Sequence, residues 1–500
     1  MNRFMILFCL VFGLAIAGAA SAQTPEAVEY KIDEVVYHVD GSTRIHPLSR
    51  AVDIDTKKVF SGRSALDAYI DDLRILFSNQ RVLESVDIQT VFGPKNDNGV
   101  IPVALHVNVV DTWNIIGMPY PKYDSNTGFQ FKLKLKNYNF FGSMQELNSD
   151  IVYELSDDGK SSLGTNVEFA IPFAFMDYDL EWTNDFFMEF PMNEVPEFKY
   201  TTGLSFERSL GSYLLQFALD HTTAINPRSD DELLKDDPLY FTEKFSVGLP
   251  IVLAKLDYFG DVSWTPSMAF TTNWSPDGVH FEDLKGPAYS LSHSLSAGRV
   301  DWVGNFRKGA SASISNSWGW NFHYNDGVRP DIQLELKGYS SFMDRLGLTS
   351  RIAFYQAFYD TTNDKIAEQL RGIANDRIDT DSAIMLNIDM PVRVMRVNFH
   401  EITGVSWTKY ISYEMHASPF FDMALTRDSE TGRLYNPADG WYSGGMELIV
   451  YPMKMRSIYG RIMAGFDIPE VLNNGGDTGA RAERDDSAVR ELFIGIGLHY

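Results

Sequence analysis

The sequence predicts a mostly β fold: a transmembrane antiparallel β-barrel preceded by a small α+β module. Three observations carry this expectation. Segments of roughly ten residues that alternate apolar and polar side chains recur from Pro121 onward with polar connections between them, which is how barrel strands read. The first 22 residues read as an export signal, and past them no run of about 18 uncharged apolar residues offers a spanning helix. The last segment alternates cleanly and stops on the aromatic Tyr500.

In chain order, Arg3 supplies the charged start of the signal, Phe4 to Ile16 its apolar stretch and Ala20-Ser21-Ala22 a small-residue cleavage site before Gln23. Cys9 is the only cysteine and lies inside that stretch, so the mature chain has no disulfide and no thiolate metal site. The formal charge is −24, and losing Arg3 with the signal makes it −25. A chain this acidic lacks the basic footprint that nucleic acid requires, so nucleic acid is excluded as a partner.

Residues 28–112 read as a compact α/β unit. Tyr30 to Val39 is a strand. Ser64 with Asp67 three residues on resembles a capping box, and Leu66, Tyr69, Ile70, Leu73, Leu76 and Phe77 then recur at helical spacing. Val86, Ile88, Thr90 and Phe92 follow at period two, and after a turn through Gly93 to Gly99 come Ile101, Val103, Leu105, Val107 and Val109. Such a pattern fits a sheet with one face on a helix.

From Pro121 to Tyr500 the texture is strand and turn. Phe129, Phe131, Leu133 and Leu135 alternate with Gln130, Lys132, Lys134 and Lys136, and the next strand sets Glu146 and Asp150 where those lysines can meet them. Leu163 to Ile171, Phe198 to Phe206 and Tyr213 to Leu219 repeat the alternation. Tyr120, Tyr123, Trp182, Trp264, Trp274 and Trp302 sit near segment ends, where interfacial girdles would place aromatics. Long polar connections such as Thr222 to Asp237 and Thr426 to Asp439 contrast with tight ones, as in barrels with short turns on one side and loops on the other. In the last strand Leu492, Ile494, Ile496, Leu498 and Tyr500 alternate with Phe493, Gly495, Gly497 and His499, and the glycines weaken its pairing.

The order strand, helical region, helix, strand, strand over 28–112, with Phe60-Ser61-Gly62 leading into the helix and Leu73 to Val86 leaving it, resembles a POTRA domain, a periplasmic module that precedes certain barrels. Nearly all of the mature chain resembles the BamA and TamA superfamily of outer-membrane assembly and translocation barrels. Asn139-Phe140-Phe141-Gly142 matches the family's aromatic-Gly turn, and Leu370-Arg371-Gly372-Ile373 its Arg-Gly-aromatic loop, with Ile373 in place of the aromatic. The run to Pro391 matches the next strand, Phe420-Phe421-Asp422-Met423-Ala424 a Phe-x-Asp strand, and Gly445-Met446-Glu447-Leu448 to Pro452 the one after. Taken alone, Arg371 beside Gly372 reads as a solvated surface loop; order and spacing from Leu370 to Tyr500 supply the sharper reading.

The resemblance implies a barrel of about 16 strands and an Arg371 that enters the lumen to pair with Asp422. The family's second acid falls on Asn387 here, with Asp389 two residues on and on the same strand face. The resemblance also implies that Phe129, Phe131, Leu133 and Leu135 meet Ile494, Gly495, Ile496, Gly497, Leu498 and Tyr500 at a seam that opens sideways, since an open strand edge is a template for another strand. The implied partners are outer-membrane lipids, unfolded outer-membrane or secreted clients that add to a strand edge of the POTRA-like module, and periplasmic accessory proteins. A two-partner secretion pore and a plain porin remain alternatives. An enzyme is the weakest reading: His400-Glu401 and scattered serines form no motif of fixed spacing, and no metal-ligand spacing, phosphate loop or nucleotide fingerprint is present, so neither cofactor nor metal is expected.

Overall fold

The computed structural model describes residues 28–496 apart from 98, 125–127, 156–159, 177, 212, 230–231, 257–259, 324–327, 359–362, 375–376, 428–431, 458 and 483–487. The signal stretch 1–22 lies outside the described residues, as do Gly497, Leu498 and Tyr500. The backbone gathers into two compact units. One comprises Ile54–Asp72, Ile88–Val107 and the chain up to Val36; the other comprises Tyr37–Asp53, Leu73–Asp87 and everything from Asn108 onward.

The N-terminal elements are β1 (Glu29–Asp40), α1 (Ile45–Ala51), β2 (Val59–Ser61), α2 (Arg63–Asn79), β3 (Leu83–Phe92) and β4 (Val100–Asp111), and the four strands form a sheet of order β2-β1-β4-β3. Leu66, Ile70, Leu73 and Phe77 of the helical stripe are buried, and so are Val103, Leu105, Val107 and Val109 of β4, as their periodicities require. Ser64 is no cap, because α2 already starts at Arg63 and Asp67 bonds back to Arg63 Nε at 2.8 Å.

The remaining strands close a barrel. They are β5 (Ile115–Asp124), β6 (Gly128–Asn137), β7 (Leu147–Leu155), β8 (Ser161–Phe175), β9 (Tyr178–Pro191), β10 (Glu197–Leu210) and β11 (Tyr213–Ile225). Next come β12 (Leu239–Gly248 continued by Ile251–Leu256), β13 (Gly260–Trp274), β14 (Ala288–Val303), β15 (Phe306–Asn321), β16 (Arg329–Phe342) and β17 (Leu346–Ala357). The last are β18 (Ser382–Asp389 continued by Val392–Val397), β19 (Tyr413–Thr426), β20 (Trp441–Pro452), β21 (Gly460–Asp467) and β22 (Arg490–Ile496). Both halves of β12 pair with β13, and both halves of β18 with β19, so each is one strand. The breaks fall at Pro250 and Pro391, where the missing N–H removes a ladder bond. Among the described residues the wall therefore has eighteen strands rather than about sixteen.

The seam is also displaced from its expected place. β5 stands between β6 and β22 and closes the ring with β22. Phe129, Phe131, Leu133 and Leu135 lie on β6, paired with Tyr123, Pro121, Pro119 and Gly117 of β5 and, on the other side, with Leu155, Tyr153, Ile151 and Ser149 of β7. Pro119 and Pro121 hid this strand from a reading by alternation, and the barrel begins at Ile115 rather than Pro121.

Side-chain parity separates the two faces. Outward positions such as Leu163, Leu204, Leu219, Met268, Leu291, Leu492 and Ile494 are apolar and exposed, which fits a wall facing lipid. Trp264 and Trp274 mark the ends of the outward face of β13. Ten residues at about 3.3 Å each, tilted by about 40°, cover about 25 Å, the height of a barrel's apolar band. Trp182 faces outward as well, whereas Trp302 turns inward against Tyr459 and Arg307; the side chains of Tyr120 and Tyr123 lie outside the described residues. The expected cross-strand pairs form, Lys134 with Asp150 at 3.6 Å and Lys136 with Glu146 at 3.4 Å.

Candidate functional site

The connection from β17 to β18 folds back into the barrel. Thr380 and Asn363 exchange backbone hydrogen bonds that close the loop at its base, and the Asn363 side chain accepts from Lys365 N to start a 3-10 turn over Asp364–Gln369. Ile366, Ala367, Leu370, Ile373 and Ile378 are buried with Ala353, Tyr355, Met385, Ala424 and Trp441 of the wall. The loop docks because it carries an apolar face of its own. Ile373 is buried in a cluster to which the wall contributes the Trp441 and Tyr355 rings.

This cluster sets Arg371 among acids. Its side chain is 1% exposed. Its Nε donates to Asp422 Oδ2 at 2.8 Å, Nη2 to Asp422 Oδ1 at 2.7 Å and Nη1 to Asp389 Oδ1 at 2.5 Å, while its backbone N–H adds a bond to Asp422 Oδ2 at 2.9 Å. A guanidinium fork on one carboxylate is the geometry in which arginine binds most tightly. Glu447 Oε1 stands 3.2 Å from Nη1, and the guanidinium lies over the Phe420 ring at 4.0 Å, a cation–π contact. The acids converge because Asp422, Asp389 and Glu447 all sit at inward positions of β19, β18 and β20.

Gly372 continues the clasp. Its φ is +85°, and a Cβ there would lie 2.5 Å from Phe466 N and 2.8 Å from Gly465 C, so the loop backbone rests directly on β21. Its N–H donates to Glu491 Oε2 at 2.7 Å. Glu491 belongs to β22, so the loop is bonded to the strand that closes the ring. Beside it Arg461 of β21 donates to Glu447 at 3.2 Å and covers the Phe493 ring of β22 at 4.3 Å.

Asn387 supports the loop elsewhere. Its amide donates to Gln369 O at 2.9 Å and its oxygen accepts from Arg351 Nη1 at 3.1 Å, while Arg351 also bonds Glu335 and Gln369. A second loop arginine, Arg377, is buried, with Nη1 2.7 Å from Asp467 Oδ2 and its guanidinium 5.0 Å from the Trp441 ring. Asp467 in turn caps the short helix α4 (Ile468–Asn473). Of the seam residues named from sequence, Ile494 faces outward on β22; Gly495 and Ile496 continue that strand.

The sequence did not single out Glu447, Glu491, Arg461 or Arg377 as functional residues. The first three are charged residues at inward positions of apolar strands, a signal visible only once parity is fixed. Among the described residues no group of three His, Cys, Asp or Glu is placed to hold a metal ion. His400 and Glu401 lie on an exposed turn, where His400 Nδ1 meets Val405 O at 3.0 Å.

No protein-family model matches the chain, and no curated protein matches it. Solved structures do. The chain is similar to CdiB and BamA. For CdiB from Acinetobacter baumannii the identity is 11% and the TM-score 0.47, over 87% of this chain and 70% of that one. CdiB from Escherichia coli gives 10% and 0.39, over 91% and 89%. BamA from Haemophilus ducreyi lacking POTRA domains 1-3 gives 12% and 0.35, over 87% and 80%.

Proposed function

We propose that the protein is an outer-membrane barrel that assembles or translocates other polypeptides, without making or breaking covalent bonds. The observation that carries this is the docked loop: Arg371 is buried on Asp422 and Asp389 inside a closed barrel, and its neighbour Gly372 holds Glu491 of the closing strand. A plain porin could also carry an inward loop, as a constriction, but it would not need that loop tied to the strand that closes the ring, as Gly372 N–H to Glu491 ties it here. A loop bonded to β22 fixes the strand on one side of the β22–β5 seam. Among the described residues the other strand, β5, is free of the loop, so the seam can part there when a client strand adds to it. The N-terminal sheet would lie in the periplasm and offer a strand edge to unfolded clients, with accessory proteins as further partners.

Cysteine pairs scanned along Ile115–Pro119 of β5 and Arg490–Ile494 of β22 test the reading. Where oxidation locks the seam, assembly of client barrels should stop and reduction should restore it. A locked protein that still supports its clients would refute lateral opening. Dependence of one secreted client alone, together with ion conductance, would instead favour a secretion pore.

A further inference from the structure

The turn between β18 and β19 leaves a group of large apolar side chains exposed. Asn398–Ser412 folds as the short helix α3 (Phe399–Thr403), a left-handed Gly404 at φ +70° and a 3-10 turn over Ser406–Ile411. Thr408 and Ser412 are buried and bonded within the turn: Thr403 Oγ1 and Thr408 Oγ1 are 3.0 Å apart, Thr408 Oγ1 donates to Val405 O at 2.7 Å, and Ser412 Oγ donates to Thr408 O at 3.0 Å. Its large apolar side chains point out. Ile402 is 71% exposed and Trp407 62%, and Tyr410 and Ile411 are exposed beside them. An exposed apolar patch of this kind marks an interaction surface.

The patch is continuous with the wall's outward apolar face. The Phe399 ring meets Tyr413 at 6.3 Å, and Tyr413 Oη donates to Met395 Sδ at 3.5 Å. Met395 pairs with Met415 on the outward side of β18 and β19. At the other end Tyr410 meets the edge of Trp113 at 6.4 Å, and Trp113, itself 54% exposed, stands two residues before β5. Lys409 Nζ lies 5.0 Å from the Tyr410 ring, a cation held at the level of the aromatics in an otherwise acidic chain. Tryptophan and tyrosine beside a lysine, at the margin of a lipid-facing wall, is the composition of a headgroup boundary.

We propose that Asn398–Ser412 is a membrane-interface anchor that seats Ile402, Trp407, Tyr410 and Ile411 at the junction of phospholipid headgroups and acyl chains. This rests on the reading of the barrel as membrane-spanning. The anchor fixes the end of the wall from which β5 starts, so the closing strand has a lipid-bound reference beside it.

Single cysteines at Ile402 and Trp407, in a Cys9→Ser background and carrying an environment-sensitive fluorophore, test the proposal in phosphatidylcholine and phosphatidylglycerol vesicles. Met268→Cys, on the outward face midway between Trp264 and Trp274, and Asp277→Cys, on an exposed connection, are the controls. Lipid quenchers placed near the headgroup should quench the Ile402 and Trp407 probes several-fold more than quenchers deep in the acyl chains do, and aqueous iodide should quench them several-fold less than it quenches the Asp277 probe. Iodide quenching equal to that at Asp277 would overturn the anchor. So would shielding from both iodide and lipid quenchers, which would mean a second copy or another protein covers the patch. Failure of deep quenchers at Met268 would overturn the spanning barrel itself, whereas quenching there with none at Ile402 and Trp407 would sink the anchor alone.

Discussion

Replacing Asp422 by asparagine keeps shape and removes one charge at the centre of the loop clasp. The carboxylate accepts three bonds from Arg371, two on Oδ2 and one on Oδ1. An amide retains one oxygen, and its NH2 group must face an N–H donor, so at least one charge-assisted bond, worth about 1.5–3 kcal/mol, is lost. Deleting one partner of a buried pair costs about 3–5 kcal/mol when the other ion is left alone. Arg371 still has Asp389 and Glu447, so about 3 kcal/mol is expected, a shift of about a hundredfold between docked and undocked loop. Amide hydrogen exchange of a peptide spanning Ile366 to Ala374 reads this directly, because the Arg371 and Gly372 N–H groups are bonded to carboxylates only in the docked loop. Protection should fall by about two orders of magnitude. A change below about threefold would refute the idea that Asp422 fixes the loop.

Gly372→Ala should undock the loop more severely than its small size suggests. The left-handed φ costs about 1–2 kcal/mol for a residue with a Cβ, and here the Cβ also meets backbone atoms of Phe466 and Gly465 that cannot swing aside. Gly404→Ala has the same left-handed strain with nothing within 4 Å, so its effect on thermal stability should stay near about 1 kcal/mol; equal effects at the two sites would rule out the close approach to β21. On the connections outside the wall, Asp237 clasps the segment after β13, accepting from His280 N at 3.0 Å and Phe281 N at 2.5 Å. Burial pushes its carboxyl pKa up, but those two amides and the His280 side chain outweigh it and hold the value below the ordinary one. The stabilisation is therefore complete above the unfolded pKa of about 3.9 and fades as pH falls through the lower folded value. Tryptic cleavage at Lys235 at neutral pH should rise in Asp237→Asn while the barrel stays intact, and exchange at the His280 and Phe281 amides, corrected for intrinsic rates, should be constant from about pH 7 to 5 and increase below about pH 4. An Asp237→Asn protein as resistant as the parent would refute the clasp.

The wall was legible because alternation is a period-two signal that survives in every strand whose two faces differ. Lys134 with Asp150 was legible from adjacent alternating strands, and Arg371 with Asp422 from the order and spacing of the motifs between Leu370 and Tyr500. β5 was not. Its sequence, Ile115-Ile116-Gly117-Met118-Pro119-Tyr120-Pro121, interrupts alternation with two prolines and a glycine, and residues two apart aim their amides at the same neighbour, so both prolines strip donors from one edge. The seam moved by one strand for that reason. Glu447, Arg461 and Glu491 escaped notice because single charges in an apolar strand look like outward-facing residues until the parity of the strand is known.

The chemistry of the clasp makes its two sides unequal. Asp389, Asp422, Glu447 and Glu491 face Arg371 and Arg461, so carboxylates outnumber guanidiniums around the loop tip. Removing one acid leaves Arg371 with others to bind. Removing Arg371 leaves Asp422, Asp389 and Glu447 converging on a vacated position at close range, where like charges disfavour each other strongly in a partly dry interior. The cost of deletion should therefore rank Arg371→Ala above Asp422→Ala, and Asp422→Ala above Asp389→Ala, which takes one bond of the four to these aspartates rather than three. In the Arg371→Ala background, a further Asp422→Asn change should partly restore barrel stability, because it removes a charge whose partner has gone. Heat-modifiability on gels, the temperature at which the folded band is lost, measures both effects. An additive or worse double variant would show that the acids do not repel one another without the arginine, and the loop would then be held by its apolar face alone.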